Sequence, residues 1–261
     1  MNATNVSAAV VRLEELDGGA IWHVLLATPK ANIVDAAKIR ALHGIFERAA
    51  KAKDLKAIVL DADGPHFSFG ASIEEHMPAT CAAMLMDLHA MLGALLDCHV
   101  PCLAVVRGQC LGGGLEIVAL CQRIFAAHDA KLGQPEIVLG VFAPVASVAL
   151  RERLTRAAAE DLLLSGRSVG AEEALALGLV DRVADDPRAA ALDYARKHLT
   201  PKSASSLRFA VRAARMGLRE RFRREIHELE RLYLDDLMKT ADALEGLTAF
   251  SEKRAPLWRN A

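Results

Sequence analysis

The sequence predicts an α/β fold that ends in a helical region. Three observations predict it. In the first half, apolar runs of strand length alternate with segments of helical spacing. In the last third, helical spacing stands alone. Hydrophobic residues make up 52% of the 261 residues and aromatics only 5%, so a large core can form from Ala, Leu and Val.

The elements follow in order. Residues 10–16 and 21–27 are β-rich runs joined by "DGG", a hairpin signal. "VDAAKIRALHGIFERAAKAK" places Ile39, Leu42, Ile45 and Phe46 at helical spacing. Residues 56–64, "KAIVLDADG", predict a buried strand ending in a turn. "MPATCAAMLMDLHAMLGALLDC" predicts a long helix, with Met84, Met86 and Met91 reading as core or pocket-roof residues. "PCLAVVRG" predicts a buried strand feeding directly into a glycine loop, and "RIFAAHDAKLGQPE" two short strands. From Arg151 onward the pattern predicts helix to the end. "ERFRREIHELERLYLDDLMKT" shows an apolar stripe through Phe222, Ile226, Leu229, Tyr233 and Leu237. The expected division is an α/β core over 1–195 and a helical oligomerisation region over 196–261.

Composition narrows the function classes. The formal net charge is -1 and no single-sign block occurs, which argues against a nucleic-acid partner. No apolar run is long enough to span a bilayer. The N-terminus lacks a basic segment followed by an apolar core, so no signal peptide is expected and the expected location is cytoplasmic. The five cysteines sit in apolar segments and read as reduced, buried small hydrophobes. No C-x-x-C occurs and the histidines are scattered, so no metal site is expected.

"GQCLGGGLEIVALC", residues 108–121, breaks two local rules at once. Three adjacent glycines weaken a helix, and the glutamate opens an apolar run that would bury a carboxylate. A strand, a glycine turn and a helix start aim backbone N–H groups at a ligand. Gly112, Gly113 and Gly114 let that ligand approach the backbone closely. The spacing is neither the dinucleotide fingerprint nor a P-loop. It leaves an oxyanion-type donor with Glu116 in the first turn. Alone, Glu116 also fits a residue complementing the helix dipole.

A second carboxylate, Glu136, follows a Gly-Gln-Pro turn in "KLGQPEIVLGVFAP". Alone it fits a surface loop; with Glu116 it makes a pair suited to general acid and base work. In "HFSFGASIEEH", a turn at Gly70, Ala71 and Ser72 could present a further backbone N–H. Amides at Ala71 and Gly113 would then form a two-point oxyanion hole.

"FSFGASIEE", "PCLAVVRGQCLGGGLEIVALC", "KLGQPEIVLGV", "LLLSGRSVGAEEALALGLVDRV" and "LTAFSEKRAP" occur in the order of the crotonase (enoyl-CoA hydratase/isomerase) superfamily. The resemblance covers nearly the whole chain and implies a crotonase-like ββα superhelix core with a C-terminal helical region. It implies a hydro-lyase acting on an α,β-unsaturated acyl-CoA. The amides of Ala71 and Gly113 would hold the thioester oxygen, and Glu116 and Glu136 would hold and activate water. Phe69, Gly70, Ser72, Ile73, Gly112, Gly114, Phe142 and Pro144 become substrate-binding candidates. Phe250 and Lys253, in the segment matching a coenzyme A-binding region, are weaker ones. No cofactor is implied, coenzyme A being part of the substrate. The implied partner is the chain itself, as a homotrimer or homohexamer.

Two departures stand out. Gly70-Ala71-Ser72 replaces a common Gly-Ala-Asp, and Phe142-Ala143-Pro144-Val145-Ala146-Ser147 replaces a glycine-rich segment. A bulkier, stiffer wall implies an unusual acyl group, a flat six-membered ring rather than a straight chain. The combination resembles family members that hydrate a cyclic dienoyl-CoA in anaerobic aromatic degradation. An ordinary enoyl-CoA hydratase, an isomerase and a non-catalytic scaffold are the alternatives. His66 reads as a turn residue and His76 as an exposed or rim residue. The basic run 219–224 reads as a solvated helix face.

Overall fold

The computed structural model describes residues 9–261. Strands β1 (Val11–Leu16) and β2 (Ile21–Leu26) pair antiparallel across a tight turn at Asp17–Gly19. Helix α1 (Ala36–Lys51) begins where the Asp35 carboxylate accepts the Lys38 N–H at 2.9 Å. Its stripe Ile39, Leu42, Ile45 and Phe46 is buried as the spacing predicts. Then follow β3 (Ala57–Ala62), α2 (Cys81–Asp97), β4 (Cys102–Val106), β5 (Gln109–Leu111), α3 (Gly113–Ala119), β6 (Arg123–Ala126) and β7 (Lys131–Gly133).

The remaining elements are α4 (Pro144–Ala149), α5 (Arg156–Ser165), β8 (Ser168–Gly170), α6 (Ala171–Leu177), β9 (Arg182–Val183), α7 (Pro187–Tyr194), α8 (Ala204–Ala214), α9 (Met216–Arg231) and α10 (Ala241–Ser251). One sheet has the order β1-β2-β3-β4-β6-β9 and is parallel from β2 onward. A small second sheet, β5-β7-β8, lies beside the glycine turn. Strands β2, β3 and β4 are buried throughout, as a parallel sheet covered on both faces requires.

Five expectations need correction. The chain after Arg151 is not all helix: β8 and β9 are short strands whose pairing partners lie far back in the sequence. Strand β4 does not feed the glycine turn directly, because β5 intervenes and pairs with β7. Helix α2 starts at Cys81, since residues 77–80 form turns. Met84 and Met91 are buried there, whereas Met86 faces outward. Finally, the stripe of α9 is spent inside the chain. Phe222, Ile226 and Tyr233 join the main core, with Leu229 and Leu237 packed against it. It therefore gives no independent argument for self-association.

Candidate active site

A cleft of about 760 Å³ lies where the first βα turns meet the segment after β7. Its walls include Phe69, Gly70, Ala71, Ser72, Ile73, His76, Gly112, Glu136, Val141 and Phe250. The structure thus brings together four stretches, at 69–76, 112, 136–141 and 250, that lie far apart in sequence.

The amide pair is built first. Ser68 is fully buried; its Oγ donates to the Asn32 carbonyl at 2.8 Å and accepts the Gly70 N–H at 3.0 Å. Gly70 has a φ of 101°, a region side chains avoid, and this turns the chain so that Ala71 follows in the cleft wall. A Cβ placed on Gly113 would lie 3.4 Å from Ala71 N, so the two amides are neighbours. Among the described residues neither N–H has an acceptor within the chain. Gly113 opens α3, where first-turn amides have no helical partner. Two adjacent free N–H groups at a helix start form a site for a developing oxyanion.

The glycines beside them are fixed by close approach. A Cβ on Gly112 would lie 2.6 Å from Glu136 Oε1, and one on Gly114 would meet Ser68 Cβ at 2.7 Å. Gly112 also has a φ of 49°. A side chain at Gly112 would occupy the place of the second carboxylate.

Glu116 is 3% exposed, in the first turn of α3. Its Oε1 accepts the Ala146 N–H at 2.9 Å. That donor belongs to the first turn of α4, which Pro144 opens with a φ suited to helix. Burial pushes the Glu116 carboxyl up to about 7, opposed by the N–H groups of Ala146 and Val145. Glu136 stands in the single-turn helix Pro135–Leu139. Burial and then the charge of Glu116 push it up to about 8, while its own backbone N–H opposes. With its amide nitrogen toward Glu136, Gln134 donates to Oε2 at 2.9 Å and Oε1 at 3.1 Å. Both values lie near neutrality, where two neighbouring carboxyl groups divide one proton between them.

Glu116, Glu136, Ala71 and Gly113 thus converge, and the surface-loop reading of Glu136 fails. Phe69, Gly70, Ser72, Ile73, Gly112 and Phe250 line the cleft. Gly114 is buried behind the turn against Ser68. Phe142 and Pro144 are not walls of the open cleft. Phe142 turns onto Tyr233, and Pro144 is buried because its task is to start α4; Val141 faces the cleft instead. Lys253 is exposed beyond α10 and outside the cleft lining. His76 does line the cleft; burial lowers its pKa, while the Ser72 carbonyl and Glu75 act in the opposite direction. In the basic run, Arg219 and Arg223 pair with Asp97 and Arg221 with Glu152, away from the cleft.

Ser68 and Gln134 were missed. Both are ordinary polar residues in sequence, and only their burial marks them. Lys38 was missed as well. It is fully buried, and its ammonium donates to Thr28 Oγ1 at 2.6 Å and the Ile33 carbonyl at 2.8 Å, fixing the loop that carries the cleft residues Ala31 and Ile33. Desolvation pulls it down to about 8.

This fold and site are of a kind suited to polarising a carbonyl with two amides and moving a proton with two carboxyl groups. Residues 17–261 match the family described as enoyl-CoA hydratase/isomerase, and the chain belongs to that family. It is 54% identical over 242 residues, 93% of this chain and 94% of the relative, to the cyclohexa-1,5-dienecarbonyl-CoA hydratase of Thauera aromatica. It is 30% identical over 253 residues, 92% of this chain and 95% of the relative, to the carnitinyl-CoA dehydratase of Proteus mirabilis. Among solved structures, an enoyl-CoA hydratase/isomerase from Pseudoalteromonas atlantica T6c superposes with a TM-score of 0.84 at 24% identity, covering 95% of this chain and 99% of the other. That last likeness concerns the fold alone.

Proposed function

We propose that the protein is a hydro-lyase that adds water to cyclohexa-1,5-diene-1-carbonyl-CoA, giving 6-hydroxycyclohex-1-ene-1-carbonyl-CoA. The observation that carries the hydratase chemistry is Glu116 and Glu136 converging beside the free amides of Ala71 and Gly113. The cyclic substrate is supported by the likeness to the Thauera aromatica hydratase over most of both chains.

The thioester oxygen accepts hydrogen bonds from the two amides, and removing one such donor typically costs about 3 kcal/mol of transition-state stabilisation. The ionised carboxylate takes a proton from water as the oxygen bonds to the β carbon. The electron pair of the β double bond moves toward the thioester and, in the conjugated ring, spreads to the far alkene. The protonated carboxyl returns one proton to ring carbon. Water is consumed whole, and the pair ends with the single proton it began with. The chemistry asks for no cofactor beyond the coenzyme A of the substrate. The working form is a homotrimer or homohexamer, and its location is cytoplasmic; among the described residues no helix is long and apolar enough to cross a membrane.

The deciding experiment mixes pure protein with cyclohexadienoyl-CoA and with crotonyl-CoA and compares kcat/KM for hydration. Equal or better efficiency on crotonyl-CoA would reject the cyclic substrate in favour of an ordinary enoyl-CoA hydratase.

A further inference from the structure

The two sides of the Ala71 amide are held by different means. Before it, Gly70 is pinned twice: its N–H donates to Ser68 Oγ at 3.0 Å, and its carbonyl accepts the Val34 N–H at 2.9 Å. Val34 also pairs with Ala71 in an isolated parallel bridge. After Ala71 the chain leaves the bridge, and among the described residues no backbone N–H donates to the Ser72 carbonyl. That carbonyl takes the side chain of His76 instead, with Nδ1 at 2.7 Å.

The partner fixes the proton on the ring. A carbonyl oxygen only accepts, so Nδ1 carries the hydrogen. Burial lowers the pKa of His76, with the Ser72 carbonyl and Glu75 opposing, and this favours the neutral ring with Nε2 unprotonated. The imidazole forms part of the cleft wall, as do Ala71 and Ser72. Its own backbone is anchored in the short turn Glu74–His76. There the His76 N–H donates to the Ile73 carbonyl at 3.1 Å, and the Glu75 carboxylate accepts the Ala36 N–H at 3.1 Å, at the first residue of α1. The ring thus reaches from a fixed support back to the residue after Ala71.

Resting on the hydratase reading, we propose that His76 is a positioning residue for the oxyanion hole: its Nδ1–H clamps the Ser72 carbonyl and so holds the Ala71 N–H on the thioester oxygen. Each residue has two soft dihedrals, so only those of Ala71 and Ser72 separate the clamped carbonyl from the Ala71 N–H. With Gly70 held on one side and Ser72 on the other, that N–H has little room to swing as negative charge develops on the oxygen. Donors that need no reorganisation at that moment are the ones that stabilise the charge most. The proton stays on Nδ1, and no bond to His76 forms or breaks.

Three variants test the clamp. His76→Phe keeps an aromatic wall and removes both nitrogens. His76→Asn can place an amide nitrogen near the position of Nδ1, whereas His76→Gln places one near Nε2. Steady-state kinetics use cyclohexadienoyl-CoA or crotonyl-CoA, whichever the wild type hydrates better, with thermal melting alongside. His76→Phe should lower kcat about 10- to 100-fold with KM within about threefold of wild type, as a misplaced group does. His76→Asn should recover most of that loss and His76→Gln should not. Where His76→Phe fails to melt cooperatively, the order of Asn and Gln decides. A kcat within twofold of wild type for a folded His76→Phe, or rescue by Gln rather than Asn, would overturn the proposal. Infrared difference spectra of bound cyclohexanecarbonyl-CoA give a readout that needs no turnover. The thioester carbonyl stretch should move to lower frequency on the wild type and less on His76→Gln; an equal shift on both would also overturn the clamp. A wild type that hydrates neither ester overturns the hydratase reading, while the infrared comparison still decides the clamp.

Discussion

Glu116 and Glu136 are each tied down by a different part of the chain. Glu116 is held by the amides that open α4, and Glu136 by Gln134 and by the empty position at Gly112. Glu116→Gln and Glu136→Gln should each lower hydration about 10²- to 10⁴-fold with acyl-CoA binding largely intact, as kinetics and calorimetry would read. Gly112→Ala puts a methyl 2.6 Å from Glu136 Oε1 at a positive φ, so it should lose at least as much activity as a conservative change at Glu136 itself. The pair also sets the pH profile. Below about 7 both carboxyls are protonated and no base remains; above about 8 both are ionised and no acid remains. Hydration should therefore peak between those limits, with the two limbs belonging to the coupled pair rather than to either residue. Both folded-state values lie above the ordinary 4.5, so the folded protein keeps protons that the unfolded chain has released. The stability these groups contribute is complete below about pH 4.5 and is lost as pH rises through about 7 and 8. Denaturant unfolding between pH 5 and 9 should show that decline in the wild type and a flatter curve in the double Gln variant.

At the scale of elements, two short helices do the positioning. Helix α3 presents Gly113 and Glu116, and α4 returns its first amides to hold Glu116. The turn that carries Glu136 is braced from behind by α10. There Gly246 approaches so closely that a Cβ would lie 2.1 Å from the Leu139 carbonyl oxygen. The contact joins backbone to backbone and no flexible side chain can yield. Gly246→Ala should therefore destabilise the protein by about 2 kcal/mol and reduce activity by shifting the Glu136 turn, measured by thermal melting and kcat. A loss of stability with undiminished kcat would show that α10 supports the fold without setting the Glu136 turn.

For the molecule as a whole, the C-terminal helices complete the core. Leu218, Phe222, Ile226, Tyr233, Ala243 and Leu247 belong to the same buried cluster as the sheet residues Val24, Ile58 and Ala104. A truncation after residue 195 should therefore expose core surface and abolish cooperative unfolding, rather than release an intact α/β unit; a cooperative melt of residues 1–195 would contradict this. Apolar side chains left outside near the cleft end of α10, including Phe250, Leu257 and Trp258, accord with the proposed self-association. Light scattering that shows a stable, active monomer at low concentration would refute it.

Local pattern alone was sufficient where the physics is local. The stripe of α1, the buried runs of β3 and β4, and the rule-breaking of three glycines and a glutamate are all legible within a few residues, because helix period, strand burial and glycine freedom act at that range. The order of the motifs carried the family and singled out the two candidate carboxylates and the two candidate amides. Strands β8 and β9 were illegible, since three- and two-residue strands exist only through partners far away in sequence. Ser68 and Gln134 were hidden for the same reason: a serine or glutamine gains its role from what it touches. Phe142 and Pro144 show the converse case, in which a sequence departure was visible but its direction was not. Whether an apolar side chain faces substrate or core is decided by the packing of α4 against α3 and α9, and only the tertiary structure fixes that.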